Sequence, residues 1–362
     1  MVGSRWDRKR REPETALRAI SACSVNRLRF SSLAYGLRIS SDRNVPGLAE
    51  RPAGDSDLSL YLDGEPEWLA PAYRLPLTRQ LVRRSENELH DPTFVLSVLG
   101  AEEFFRLDYS DGTRFIVDQR AQRLWGTYAS PLTMEDLVTY LVGPVFGFVL
   151  RRRGMLALHA SSFAFADHAV VLVGPSEAGK STTAAALASR GETILCEDIC
   201  PVAEEGSGYF IEPGYPRVCL WPDSVEKLFG APDALPQLTP NWEKRYLPLD
   251  GERGRFATQR LPLGAVYLLG PRSPGDSVPK IEPISPREAL LELVQNTYMN
   301  YLLDRTQRAA EFGALARLVE RVPVRSLISP AVAGCLPDFC DALLSDVRSL
   351  LAAPQPEKLV LR

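Results

Sequence analysis

Residues 174–181 read Gly-Pro-Ser-Glu-Ala-Gly-Lys-Ser, which fits the pattern G-x-x-x-x-G-K-[ST]. The chemistry that this spacing allows is the grip of a nucleoside triphosphate. Glycines at both ends let the backbone curl so that successive N–H groups face phosphate oxygens. A helix starting at the end of the loop adds unsatisfied donors and the positive end of its dipole. Lys180 would neutralise the β- and γ-phosphate charge, and the Ser181 hydroxyl is a natural Mg²⁺ ligand. The candidate cradle is Gly174, Pro175, Ser176, Glu177, Ala178, Gly179, Lys180, Ser181 and Thr182. Glu197 and Asp198 follow 17 and 18 residues after Lys180, at the end of the next predicted strand. Strand-end carboxylates beside a phosphate loop are where Mg²⁺ is held and a hydroxyl deprotonated. Ser181, Glu197 and Asp198 are therefore the candidate metal set. His159 stands on the strand before the loop, where a lone His is more often structural than functional; His90 and His168 have no context that favours chemistry. A phosphoryl group in transfer spreads negative charge, and the guanidinium fork of Arg matches it. Arg217, in a Gly/Pro-rich stretch, and Lys244 with Arg245, in a predicted loop at 241–249, are the basic candidates.

These residues need a scaffold. The run 169–173 reads as a buried strand before the loop, and 181–189 as an Ala-rich helix after it, with Gly191 at the expected C-terminal cap. Residues 155–165 and 169–173 form a predicted hairpin, 193–196 a short apolar strand, and 201–204 with 209–212 a second hairpin. Strands are predicted at 263–269, 280–283 and 322–328. Ser285-Pro286-Arg287-Glu288 is a capping box that opens a helix to about residue 301, and further helices cover 307–321 and 337–351. Ahead of all this, short alternating runs at 28–31, 58–62, 94–99, 104–108, 114–117 and 123–126 are separated by turn clusters, the signature of an antiparallel, β-rich unit. Residues 47–57 read as a loop and 134–149 as a connecting helix. The expected division is a disordered tail at 1–25, a β-rich unit with its helix at 26–150, a phosphate-loop domain at 151–351 and a tail at 352–362. Strand, loop and helix in mixed order give a mixed α/β fold class.

Composition bounds the partners. The 362 residues carry 42 Lys and Arg against 45 Asp and Glu, a net charge of −3, which gives no general hold on nucleic acid or anionic lipid. Only six of the basic residues are Lys, and that bias reads as compositional. A chain that is 45% hydrophobic and 24% charged is neither wholly disordered nor fibrous. The most apolar run, 137–150, is broken by Gly and Pro and falls short of the ~20 residues that a membrane span needs. Cys23, Cys196, Cys200, Cys219, Cys335 and Cys340 lack zinc-site spacing and read as reduced thiols, which with the basic, apolar-poor N-terminus makes a cytoplasmic location the expectation.

The register of His159, the phosphate loop and the Glu197-Asp198 pair resembles the HPr kinase/phosphorylase family, in which a His-bearing strand precedes the loop and an Asp-Asp pair follows it. The resemblance covers about 156–199 well, with a weaker similarity of layout to about 328. It implies a phosphate-loop kinase core that uses ATP and Mg²⁺ to phosphorylate a Ser hydroxyl. Asp198 would be the general base, Ser181 and an acidic neighbour would hold Mg²⁺, and His159 would support the phosphate or the acid beside it. The first acidic residue here is Glu rather than Asp, and the E-[LIV]-R-G-x-G signature of true HPr kinases is absent. In its place stands a run from Glu212 to Pro222 containing PGYPR and LWP. That run looks more like the HPr-kinase-related proteins of peptide-biosynthesis loci, including kinases that act on lasso-peptide precursors. The acceptor implied is a peptide or small protein bearing a Ser, and a homo-oligomer is a further expectation. A small-metabolite kinase would share every one of these residues, and an ATP-binding regulatory module would share the loop.

Overall fold

The computed structural model describes residues 28–83, 94–240, 242–273, 278–330 and 334–352. The predicted tail at 1–25, Cys23, His90 and residues 353–362 lie outside the described residues. The fold is mixed α/β, as the element order predicts, and no described helix is long and apolar enough to cross a membrane.

The first sheet has eight strands: β1 (Phe30–Ala34), β2 (Leu37–Ser41), β3 (Leu58–Tyr61), β4 (Leu77–Arg83), β5 (Phe94–Leu99), β6 (Phe104–Tyr109), β7 (Arg114–Asp118) and β8 (Arg123–Thr127). Their order is β1-β2-β3-β8-β7-β6-β5-β4. The sheet is not purely antiparallel as expected, because β3 runs parallel to both β2 and β8. Parallel neighbours need a long crossover, and the predicted loop at 47–57 lies within the one joining β2 to β3. Between β1 and β2, Tyr35 (φ 56°) and Gly36 (φ 76°) both take positive φ, the requirement of a tight two-residue hairpin turn. That turn abuts the second half of the chain: Tyr35 N–H donates to the Pro213 carbonyl, and a Cβ on Gly36 would lie 2.8 Å from Glu212 Cγ.

The connecting segment is not one continuous helix. It is α1 (Met134–Tyr140), a π-type turn at Leu141–Val145 and α2 (Phe146–Arg152). Pro144 has no N–H and its ring crowds the carbonyl four residues back, so the ladder must open there. Its neighbour Val142 offers its carbonyl to the buried Tyr35 hydroxyl at 2.5 Å. One apolar core joins the first sheet to α1 and α2, and reaches Ala157 and Ile199 in the second half.

The second sheet is built on β9 (Leu156–Phe165), β10 (His168–Val173), β11 (Thr193–Cys196), β12 (Ile199–Glu205) and β13 (Gly208–Ile211). A separate two-stranded sheet pairs β14 (Arg217–Leu220) with β15 (Arg245–Pro248), so Arg245 lies on a strand and not in the predicted loop. The large sheet is completed by β16 (Arg255–Phe256), β17 (Leu261–Leu269), β18 (Lys280–Pro283) and β19 (Val324–Ile328). Strands β10, β17 and β19 run parallel. The helices are α3 (Lys180–Ser189), α4 (Pro222–Phe229), α5 (Pro286–Gln295), α6 (Arg305–Arg321) and α7 (Leu336–Ala352). Helices α3 and α7 cover one face of the sheet, and α5 and α6 the other. The Ser285/Glu288 capping box forms as predicted, but α5 stops at Gln295 and does not reach residue 301. Its continuation pairs with β9 instead: His159 N–H donates to the Asn296 carbonyl and Tyr298 N–H to the Ala157 carbonyl. Sheet pairing outcompetes helix extension at Asn296-Thr297, two weak helix formers.

Candidate functional site

Residues 174–179 connect β10 to α3, and two contacts explain their glycines. A Cβ on Gly174 would sit 3.0 Å from the Leu269 carbonyl of β17, and Gly179 holds φ 100° where α3 begins. Lys180 is buried, and its ammonium donates to the Gly174 and Pro175 carbonyls at 2.7 and 2.9 Å. Burial lowers its pKa from the usual lysine range. The cation thus lies against the loop, held by two of its own carbonyls.

The acidic pair directly follows the last residue of β11, at a strand end as expected, and β12 resumes at once after it. Strands β11 and β12 both run antiparallel along β9, with Cys196 opposite Ser162 and Ile199 opposite His159 on one register. Glu197 and Asp198 interrupt this ladder midway. Asp198 adopts φ 67°, and Ile199 N–H donates to the Glu197 carbonyl at 2.8 Å, closing a three-residue turn. Neighbours in a regular strand point to opposite faces; the turn lets both carboxylates line one cavity. A positive φ at a non-glycine residue is a local cost that surrounding structure must hold in place. Here the hold comes from β9, since Ala160 N–H donates to the Asp198 carbonyl at 3.3 Å.

Glu197 accepts from the Ser181 hydroxyl at 2.7 Å and from the Cys219 N–H at 3.3 Å. Burial first, and then the charge of Asp198, raise its pKa to about 7. Asp198 is held on both oxygens: His159 Nε2 lies 3.4 Å from Oδ1, and the Tyr298 hydroxyl donates to Oδ2 at 3.2 Å. Burial favours a neutral imidazole and lowers the His159 pKa from the usual histidine range, against the pull of Asp198, which raises it. Tyr298 owes its place to Gly147 on α2, where a Cβ would come within 2.2 Å of the ring.

Arg217 lines the same cavity with its guanidinium 4.9 Å from the Tyr215 ring centre. Lys244 lines it too, its ammonium 4.9 Å from the ring centre of Trp221. Arg245 does not: it is the next residue along, and its Nη1 donates to the Leu235 carbonyl, outside the lining. Ser176, Glu177, Gly179, Ser181 and Thr182 reach the cavity, whereas Gly174, Pro175 and Ala178 shape the loop behind it. The cavity measures about 940 Å³, at the top of the ~300–1,000 Å³ usual for a small-ligand site. Tyr298 and Arg272 escaped sequence reasoning; the Asn296-Thr297 break in the amphipathic run was the available signal for the first, and none marked the second.

Among the described residues no group of three or more His, Cys, Asp or Glu could hold a metal ion. The oxygens of Ser181, Glu197 and Asp198 nevertheless fit Mg²⁺, which takes one or two carboxylates and completes its shell with phosphate and water. A part-buried carboxylate beside a second one is a place where a cation compensates charge.

No known family model matches this sequence, and no curated protein does. Among solved structures it is weakly similar to the Hpr(Ser) kinase/phosphatase from Coxiella burnetii. The identity is 14% and the TM-score 0.28, over 53% of this chain and 88% of that chain.

Proposed function

We propose that the protein is a Mg²⁺- and ATP-dependent kinase that transfers the γ-phosphoryl group to a Ser hydroxyl of a peptide or small protein. The observation that carries this reading is Asp198, a half-exposed carboxylate held by His159 and Tyr298 in the cavity that also receives the Lys180 loop. Nucleotide binding alone has no use for a carboxylate braced on both oxygens. The N–H groups of the loop and the start of α3 bind the β-phosphate, and Lys180 leaves the Gly174 and Pro175 carbonyls to meet its charge. Ser181 and Glu197, with Asp198 beside them, hold the Mg²⁺ that accompanies ATP, which supplies charge neutralisation when bound. The acceptor oxygen forms its bond to the γ-phosphorus in line as the bond to the β-phosphate oxygen breaks, and Asp198 takes the hydroxyl proton. Arg217 and Lys244 face the charge that develops. Neutral His159 and the Tyr298 hydroxyl orient the carboxylate.

The test is transfer of label from γ-labelled ATP with Mg²⁺ to synthetic Ser peptides, including peptides that end in Ser. The expected result is phosphoserine that disappears in Asp198→Asn, with kcat down ~10²–10⁴-fold and circular dichroism unchanged. Bound ATP with no label on any peptide would count against the proposal and move weight to a metabolite kinase or a nucleotide-sensing module.

A further inference from the structure

The cavity extends well past what a triphosphate site uses. Its other end is walled by the first sheet and the kinked helix, through Tyr109, Tyr140 and Val142, and by Trp242 ahead of β15. The rings pack as a continuous surface, Tyr109 on Tyr140 at 4.1 Å between centroids and Tyr140 on Trp242 at 5.7 Å, edge to face. The Tyr140 hydroxyl is spent on Asp111 at 2.6 Å. The Tyr109 hydroxyl is not: the residue lines the cavity and is only 7% exposed, and this oxygen has no hydrogen-bond partner among the described residues. Buried polar groups are almost always paired, so an orphan hydroxyl on a cavity wall marks where a ligand atom belongs. Tyr35 joins the two ends. It lines the cavity together with Arg217 and Asp198, and its hydroxyl is fixed to the Val142 carbonyl on the kinked helix.

We propose that this aromatic arm is the acceptor subsite, and that it selects a peptide with a large aromatic or aliphatic side chain next to the Ser that receives the phosphoryl group. The inference rests on the kinase reading above for its Ser. The arm offers aromatic faces and no charged side chain of its own among those walls, so an ionised flank would lose its hydration without compensation. A ring or branched chain gains burial and stacking there. The Tyr109 hydroxyl donates to a carbonyl of the bound peptide.

The test uses the full chain and one peptide design in which the residue beside Ser is Trp, Leu, Gly or Asp. Each peptide is also made with Ser replaced by Ala. Transfer of label from ATP gives the peptide KM; binding of the Ala peptides is read as the fluorescence change lost in Trp242→Phe. The expected result is a KM for the Trp and Leu peptides ~10-fold or more below that for Gly, with Asp weaker still. Tyr109→Phe should raise that KM ~3–10-fold while the thermal midpoint holds or rises, since the hydroxyl makes no hydrogen bond among the described residues. Equal KM values for all four flanks, or an unchanged KM in Tyr109→Phe, would overturn the inference. The two readings fail separately. Label transferred regardless of the flank leaves the kinase and removes the subsite. Ala peptides that bind in the Trp, Gly, Asp order with no label on any Ser peptide leave the subsite and remove the kinase.

Discussion

The two ends of the cavity are satisfied in opposite ways. At the loop end the groups of the loop and of the acidic pair are occupied by one another or by near neighbours: Lys180 by two carbonyls, Ser181 by Glu197, Asp198 by His159 and Tyr298, and the Thr182 hydroxyl by Ser224 at 3.0 Å. At the aromatic end the walls are held by ring packing, and a buried hydroxyl is left open. The contrast follows from the ligands proposed for each. A charged ligand can displace internal hydrogen bonds with stronger, charge-assisted ones, so its site can rest in a self-satisfied state. An apolar ligand brings no such bonds, so its pocket must stand open and preformed by packing.

That contrast can be broken in stages. The largest effect is expected from Lys180→Ala, which removes the exchangeable cation. Transfer should fall ~10²–10³-fold or more and ATP affinity with it, while binding of Ser→Ala peptides, measured by fluorescence, persists. Loss of both together would mean that the two ends are not separable. Next is Gly147→Ala, which places a methyl 2.2 Å from a Tyr298 ring atom. Overpacking of this kind costs about 1–3 kcal/mol. The melting midpoint and kcat should drop together, because the brace on Asp198 is lost with the ring position. A variant with normal kcat would show that the Tyr298 hydroxyl does not position Asp198.

A smaller effect is expected from pH. The pKa of Glu197 is raised from 4.5 to about 7 in the folded protein. The folded chain therefore keeps a proton that the unfolded chain releases. The stability from this group is fully present below pH 4.5 and is lost as the pH rises to about 7. His159, lowered by burial, works in the opposite direction. The difference between the wild-type protein and Glu197→Gln isolates the first effect: without nucleotide, the wild-type melting midpoint should fall relative to the variant across that window. Parallel curves would show that Glu197 is ionised as an ordinary carboxylate. The smallest effect belongs to Arg245→Ala. Its guanidinium is turned to the Leu235 carbonyl, so kcat/KM should stay within about twofold, whereas Lys244→Ala lowers it ~10-fold. The reverse ranking would place Arg245, and not Lys244, at the phosphates.

The loop at 174–179, its flanking strand and helix, and the place of the acidic pair after β11 were legible because each is encoded within a few consecutive residues. Gly174, Gly179 and Lys180 act through a backbone that local sequence shapes on its own. The capping box at Ser285 formed for the same reason. Where the readings departed from the structure, distant chain had intervened. Residues 296–298 exchange helix for a pairing with β9, and only that exchange brings Tyr298 to Asp198 across 100 positions of sequence. Arg245 and Lys244 are adjacent and both cationic, and only the fold tells them apart: Arg245 opens the strand paired with β14 and turns to the Leu235 carbonyl, whereas Lys244 just before it lines the cavity.

The sequence by itself determined the mixed α/β class, the glycine-bounded loop between β10 and α3, and the carboxylates that follow it, since turn, cap and strand preferences act over short range. Tertiary structure alone decided that both carboxylates share a cavity, through a positive φ at Asp198 that β9 holds in place. It alone assembled the aromatic arm from Tyr109 on β6, Tyr140 on α1 and Trp242 beyond α4. Side chains so far apart in the chain meet only through the packing of a shared core, and no local spacing records that meeting.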